Sequence, residues 1–242
     1  MFKHHAYPWF IMIGFYVWGV VIYNRIIGPR RLHVHKIKNP RVLITGVGRS
    51  GSTAVNKAFQ TASFKSKLEQ HDKEVSVGWP FARYQEYPIK DGFNNQWHNY
   101  NNRHKDELFD IVIHLVRHPL DTIASWTTMS KNPSVDYVIH ITPEIDKSMH
   151  KLQISMIHWY NWNSIVEKYA DRLWNIETLD IKSECFDLWE NDDRCSQIHL
   201  TPKVNSRQHL KYSWNDLSSI DENLTIKIQT MCKRFGYHNC SI

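Results

Sequence analysis

The chain has 242 residues, enough for one ordinary domain and little more. Hydrophobic residues make up 42% and charged residues 22%, a globular balance that excludes a disordered chain, and 9 Gly with 9 Pro exclude collagen-like or linker-like sequence. The net charge of +6 is concentrated in residues 1–41, which carry Lys3, Arg25, Arg30, Arg31, Lys36, Lys38 and Arg41 and no Asp or Glu; the rest is nearly neutral, which speaks against nucleic acid as a partner.

Residues 1–6 form a short tail. Residues 7–23, YPWFIMIGFYVWGVVIY, are an uncharged run of 17, the short limit for a spanning helix. Tyr7, Trp9 and Phe10 crowd one end and Trp18 and Tyr23 the other, as rings do at headgroup depth. No small-residue cleavage site follows, so the run suits an uncleaved anchor, with residues 24–40 as a basic juxtamembrane stem. A buried or amphipathic surface helix is the alternative. The orientation signals conflict. The basic flank after the run favours a cytoplasmic body. The glycosylation sequons NLT at 223–225 and NCS at 239–241 favour a lumenal one. So do two close cysteine pairs, Cys185 with Cys195 and Cys232 with Cys240, which allow two disulfides or else four buried thiols.

Residues 42–46 are β-branched and apolar, a buried strand. The loop GVGRSGST at 46–53 follows, then a helix over 52–62. Strand, glycine loop and helix aim backbone N–H groups and a positive helix end at an anion. Gly46, Gly51 and Thr53 match the frame of G-x-x-x-x-G-K-S/T, but Ser52 replaces the lysine and the nearby cation is Arg49. That lysine and a metal ion serve phosphoryl transfer in nucleotide kinases, so kinase chemistry becomes the weaker reading. A ligand-free glycine turn is the plainest alternative.

A second strand is expected at 64–68. Glu69, His71, Asp72 and Glu74 follow it, each a candidate general base or a solvated loop charge. Residues 81–100 mix aromatics and amides, which suits a sugar-binding wall or an ordinary surface loop. Residues 111–116 read as a buried strand, and RHPLDTIAS at 117–125 opens a helix over 119–130 with Pro119 at its first position. Arg117 thus falls at a strand's carboxyl end, where open α/β sheets bind ligands, with Ser125 two turns further on. A guanidinium and a hydroxyl converging there would clamp a phosphate, although helix capping explains the motif equally well.

A helix over 149–169 carries an apolar stripe through Leu152, Met156, Trp159 and Val166, better suited to core than to a substrate platform. A strand at 172–178 and a helix at 218–234 complete the pattern. The expected fold class is α/β, a three-layer sandwich with a central parallel sheet. The 15 His are scattered without H-E-x-x-H or Cys/His clustering, so no metal site is expected.

Taken together, G-x-G/R-x-S-G-S/T-T and R-x-P-x-x-x-x-x-S resemble the sulfotransferases that use 3′-phosphoadenosine 5′-phosphosulfate (PAPS), in their membrane-bound carbohydrate branch. Weaker likeness extends over residues 41–238, through HWYNWN at 158–163, LWNIETL at 173–179, YSWNDL at 212–217 and RFGY at 234–237. The resemblance implies a P-loop-like sulfotransferase domain at 41–242. It implies that Gly48, Arg49, Ser50, Gly51, Ser52 and Thr53 hold the 5′-phosphosulfate and that Arg117 and Ser125 hold the 3′-phosphate. Arg207 is a further candidate for that phosphate. Arg49 would also be catalytic. Glu69, ten residues before Trp79, is the favoured base and His71 the next. The residue before Trp79 and the turn around Glu74 depart from the related pattern. The implied activity is metal-free sulfuryl transfer from PAPS to a hydroxyl or amine of a glycan or lipid-type acceptor, by a Golgi membrane protein with a lumenal catalytic domain. Two other functions compete: a P-loop kinase, and a non-catalytic anchored nucleotide-binding module. No sequence feature specifies an oligomeric state.

Overall fold

Five short apolar stretches become strands: β1 (Val42–Thr45), β2 (Ser66–Leu68), β3 (Val75–Val77), β4 (Ile111–Val116) and β5 (Arg172–Asn175). They pair in the order β2-β3-β1-β4-β5, and every pairing is parallel. The computed structural model describes residues 39–69, 74–80, 109–129, 133–201 and 210–241, all within the compact unit Ile37–Ile242. The expected anchor at 7–23 lies outside the described residues. Among the described residues, no helix is long and apolar enough to cross a membrane.

Strand periodicity sorts the core into two layers. Val42 and Ile44 of β1 and Ile111, Ile113 and Leu115 of β4 face one side. There they meet Val55, Ala58 and Phe59 of α1 (Ser52–Thr61) and Ile181, Cys185 and Leu188 of α5 (Ile181–Leu188). Val116 packs on the other side, among residues of α2 (Pro119–Thr127), α3 (Pro133–Ile141), α4 (Lys151–Glu167), α7 (Trp214–Ile220) and α8 (Glu222–Arg234). The short helix α6 (Arg194–Gln197) follows α5. A parallel sheet buried on both faces is thus flanked by helices, as the apolar strands require.

The apolar stripe of α4 is core: Leu152, Met156, Trp159 and Val166 are all buried. Both cysteine pairs are disulfides, Cys185–Cys195 tying α5 to α6 and Cys232–Cys240 tying α8 to the C-terminal turn.

Four departures from the expected elements have local causes. β2 starts two residues late, because Ser66 N–H turns back to Phe64 O at 2.8 Å. β3 was not expected; its three residues lie between β1 and β2, where both neighbours supply hydrogen bonds. β5 stops at Asn175, whose side chain accepts from Glu177 N–H at 3.1 Å and turns the chain. The single helix expected at 218–234 is two helices that begin earlier, at Trp214. Ser213 and Asp216 form a capping box for α7, and Asp221, with φ −157°, breaks the run and caps α8. Helices α3, α5 and α6 were also not foreseen.

Candidate functional site

Strand order decides where a ligand can sit. The connection from β1 runs through α1 to β2 on one side, and that from β4 runs through α2–α4 to β5 on the other. β1 and β4 are neighbours, so the crevice at their carboxyl ends is the switch point of the sheet. The 46–51 loop and Arg117–His118 leave the sheet there.

The loop is built by close approach. A Cβ on Gly46 would lie 2.1 Å from Leu115 O, so only glycine lets the chain cross β4. Thr45 Oγ1 donates to Gly78 O at 2.8 Å, fastening the loop's base to the exit of β3. Gly48 faces Trp79 and Trp126, with its ideal Cβ position 3.1 Å from Trp126 Nε1. Arg49 (φ 77°) and Gly51 (φ 96°) are both left-handed, the alternation that turns successive N–H groups toward one concavity. Gly51 is the N-cap of α1, which has no side-chain cap and no acidic residue in its first turn. Its positive end is therefore open to an anion. Among the described residues, Ser50 Oγ is buried without a hydrogen-bond partner. Ser52 and Thr53 are half-buried at the helix start.

The second motif folds onto the first. Arg49 Nε donates to Ser125 Oγ at 3.0 Å, and Arg117 Nη1 donates to Arg49 O at 3.4 Å. Ser125 is buried two turns into α2, and Pro119 occupies that helix's first turn as expected. Two guanidiniums, a buried hydroxyl and an uncapped helix start thus share one crevice. Arg49 thus reaches from its own loop across to the helix that carries the second motif.

Glu69 sits at the carboxyl end of β2 with φ 56°, and its N–H bonds Val77 O at 2.7 Å. The ten-residue spacing from Glu69 to Trp79 is one β2–β3 crossover, so both emerge on the edge of the sheet that carries the loop. Two strand spacings separate β2 from β1, about 10 Å. Glu74 is corrected: it precedes β3, at the opposite edge, and pairs with Arg194 at 2.7 Å. Asp192 joins that ion pair, and its carboxyl is held below the usual range by Arg194. His71, Asp72, Arg207 and the 81–100 segment lie outside the described residues.

Three contributors were missed in the sequence. Trp79 packs beside Tyr137, His158 and Trp162, and its carbonyl accepts from Trp162 Nε1 at 3.1 Å, forming a wall next to Gly48. Glu177, past the end of β5, accepts from His118 N–H at 2.9 Å. Tyr237 donates to Glu177 at 2.7 Å. Position after a parallel strand was the available signal for Trp79 and Glu177; Tyr237 closes the RFGY segment, to which no role was attached. His118, Cys232 and Cys240 form the metal-like grouping among the described residues, within 4.8 Å of one another. Both sulfurs are in a disulfide, so no thiolate is present to bind an ion. Comparison of the chain with family models, curated proteins and solved structures finds no match.

Proposed function

We propose that the chain is a membrane-anchored sulfotransferase that takes its sulfuryl group from PAPS. The observation carrying this reading is the convergence of Arg49, Arg117 and Ser125 at the mouth of an uncapped loop that has Ser52 in place of a lysine. The donor carries two separated anionic groups, and it supplies a sulfuryl group on a phosphate leaving group. The buried, unpartnered Ser50 Oγ and the open α1 terminus suit its 5′ end. In this reading the N–H groups from Gly48 to Thr53, with the Ser52 and Thr53 hydroxyls, hold the 5′ oxygens. Arg49 neutralises charge developing on the leaving phosphate. Arg117 and Ser125 hold the 3′-phosphate through a charged fork and a hydroxyl, with Arg207 as a further contributor. Glu69, or else His71, accepts the proton of the acceptor hydroxyl. The acceptor is a glycan or a lipid-type molecule bearing a hydroxyl or amine, and no metal takes part.

Two disulfides and the exposed sequon residue Asn223 support a lumenal catalytic domain in the Golgi. The fold assigned in this proposal is the P-loop-like sulfotransferase domain.

The test is a thermal-shift titration of the full chain in detergent with adenosine 3′,5′-bisphosphate, 5′-AMP and Mg·ATP. Ligand at a hundred times its Kd stabilises by about 2.7 kcal/mol. A shift with the bisphosphate alone, lost in Arg117→Ala, is expected. A shift with Mg·ATP alone would make the chain a kinase, and no shift with any ligand would make it a non-catalytic module.

A further inference from the structure

Arg117 belongs to a strap, Arg117–His118, that connects β4 to α2. Its carbonyl side is held by α2, where Thr122 Oγ1 donates to His118 O at 3.1 Å. His118 is the N-cap of α2 but provides no side-chain cap. Its backbone N–H instead goes to Glu177 Oε1 at 2.9 Å, beyond β5. The other carboxylate oxygen, Oε2, accepts from the Tyr237 hydroxyl at 2.7 Å. The Tyr237 ring also stands edge-on to the His118 imidazole, centroids 5.2 Å apart and planes at 90°.

Tyr237 reaches the strap because the chain reverses directly after α8. Gly236 takes φ 86°, and Tyr237 N–H bonds Cys232 O at 3.2 Å. The Cys232–Cys240 disulfide closes this turn. Both of its sulfurs lie within 4.8 Å of a His118 ring nitrogen, so the turn is clamped against the strap. Burial and the Glu177 carboxylate push the Tyr237 phenol up, which keeps its proton in place for donation; the Arg117 guanidinium acts in the opposite direction, which marks it as a neighbour.

The charges give this arrangement a purpose. Among the described residues, Arg117 is in no ion pair. Glu177 is the carboxylate bonded to the residue next to it, and both Glu177 oxygens are occupied by neutral donors. A carboxylate engaged in this way is held off the guanidinium, which donates through Nη1 to Arg49 O at 3.4 Å and keeps its other N–H groups for an anion.

We propose that Tyr237, presented by the Cys232–Cys240 turn, is a positioning residue: it ties up Glu177 and keeps Arg117 free and aimed for a nucleotide 3′-phosphate. This role rests on the sulfotransferase reading of the site. Without the hydroxyl, one Glu177 oxygen is released to pair with Arg117, which neutralises the clamp and lets the strap shift.

The test uses the full chain and isothermal titration with adenosine 3′,5′-bisphosphate and with 5′-AMP, which lacks the 3′-phosphate. Tyr237→Phe keeps the ring against His118 and removes the hydroxyl. It is expected to weaken the bisphosphate about tenfold and leave 5′-AMP unchanged. Adding Glu177→Gln to Tyr237→Phe is expected to restore most of the loss, because the amide still accepts from His118 N–H and carries no charge to compete for Arg117. A merely structural role would not be rescued this way. The Cys232→Ser/Cys240→Ser pair is expected to show the same selective loss. Unchanged bisphosphate affinity in Tyr237→Phe, or equal losses for both ligands, overturns the positioning role while the nucleotide reading stands. Failure of the unaltered chain to bind the bisphosphate overturns both.

Discussion

His114 lies in the middle of β4, fully enclosed, and burial lowers its pKa from 6.5 to about 4. Its Nε2 pairs with Asn163 Oδ1 at 2.9 Å, while Asn163 Nδ2 donates to Trp159 O at 2.9 Å. The amide therefore turns its oxygen to the ring, which makes Nε2 the protonated nitrogen of a neutral imidazole. Phe235 packs edge-on against the ring, centroids 5.1 Å apart. Acidification should thus destabilise the domain through this one side chain. The folded pKa lies below the unfolded one, so between the two the unfolded chain takes up a proton that the folded chain refuses. Stability is fully present above pH 6.5, falls as the pH drops toward about 4, and is level below that. A shift of this size corresponds to a loss of ~3 kcal/mol across the window, with no screening to discount at a fully buried site. The assay is urea unfolding at a series of pH values, for the natural chain and for His114→Gln. Glutamine can donate to Asn163 but does not titrate. Carboxylates titrate in both proteins and cancel in the difference. The difference in unfolding free energy should fall from about pH 6.5 to about pH 4. A difference that stays constant over that range would refute the burial argument for His114.

Two further outcomes are expected at the loop and the site. Gly46→Ala places a methyl 2.1 Å from the Leu115 carbonyl, so β4 or the loop must move; a loss of about 1–3 kcal/mol in urea unfolding is expected, and an unchanged midpoint would show that the loop has slack. Under the sulfotransferase reading, Arg49→Ala should lower turnover about 10²–10³-fold, as loss of one oxyanion donor does, and wild-type turnover would remove its catalytic role. For the base, Glu69→Gln should abolish the acidic limb of the pH–rate profile, and a profile unaltered both there and in His71→Ala would eliminate the two candidates.

Local chemistry accounts for the elements that were legible. Residues 42–45 and 111–116 are apolar save for Thr45 and His114, so they read as buried strands, and the loops after them follow from Gly46, Gly51 and Pro119. α4 was legible for the same reason: its apolar stripe recurs at helical spacing over 17 residues. β3 was not, because three residues beside a charged turn carry no periodic signal and become a strand only between two partners. The division between α7 and α8 was hidden because Asp221 reads as an ordinary helical surface residue until its side chain is seen accepting from Leu224 N–H at 2.9 Å.

By itself, then, the sequence determined the kinds of groups at the site and the parallel α/β class, since strand, glycine loop and helix are local consequences of residue type and spacing. It also placed Arg117 and Ser125 eight residues apart, the one just past a strand's end and the other in the helix that follows. Which groups meet was decided only by the tertiary structure. Arg49 and Ser125 are 76 residues apart, and Glu177 and Tyr237 are 60 apart; β1 and β4 had to become neighbours, and a disulfide had to turn the C-terminus back, before any of these pairs could form. Hydrogen bonds reach about 3 Å and carry no trace of sequence separation, so contacts of this kind are written in the packing of the strands and not in any local motif.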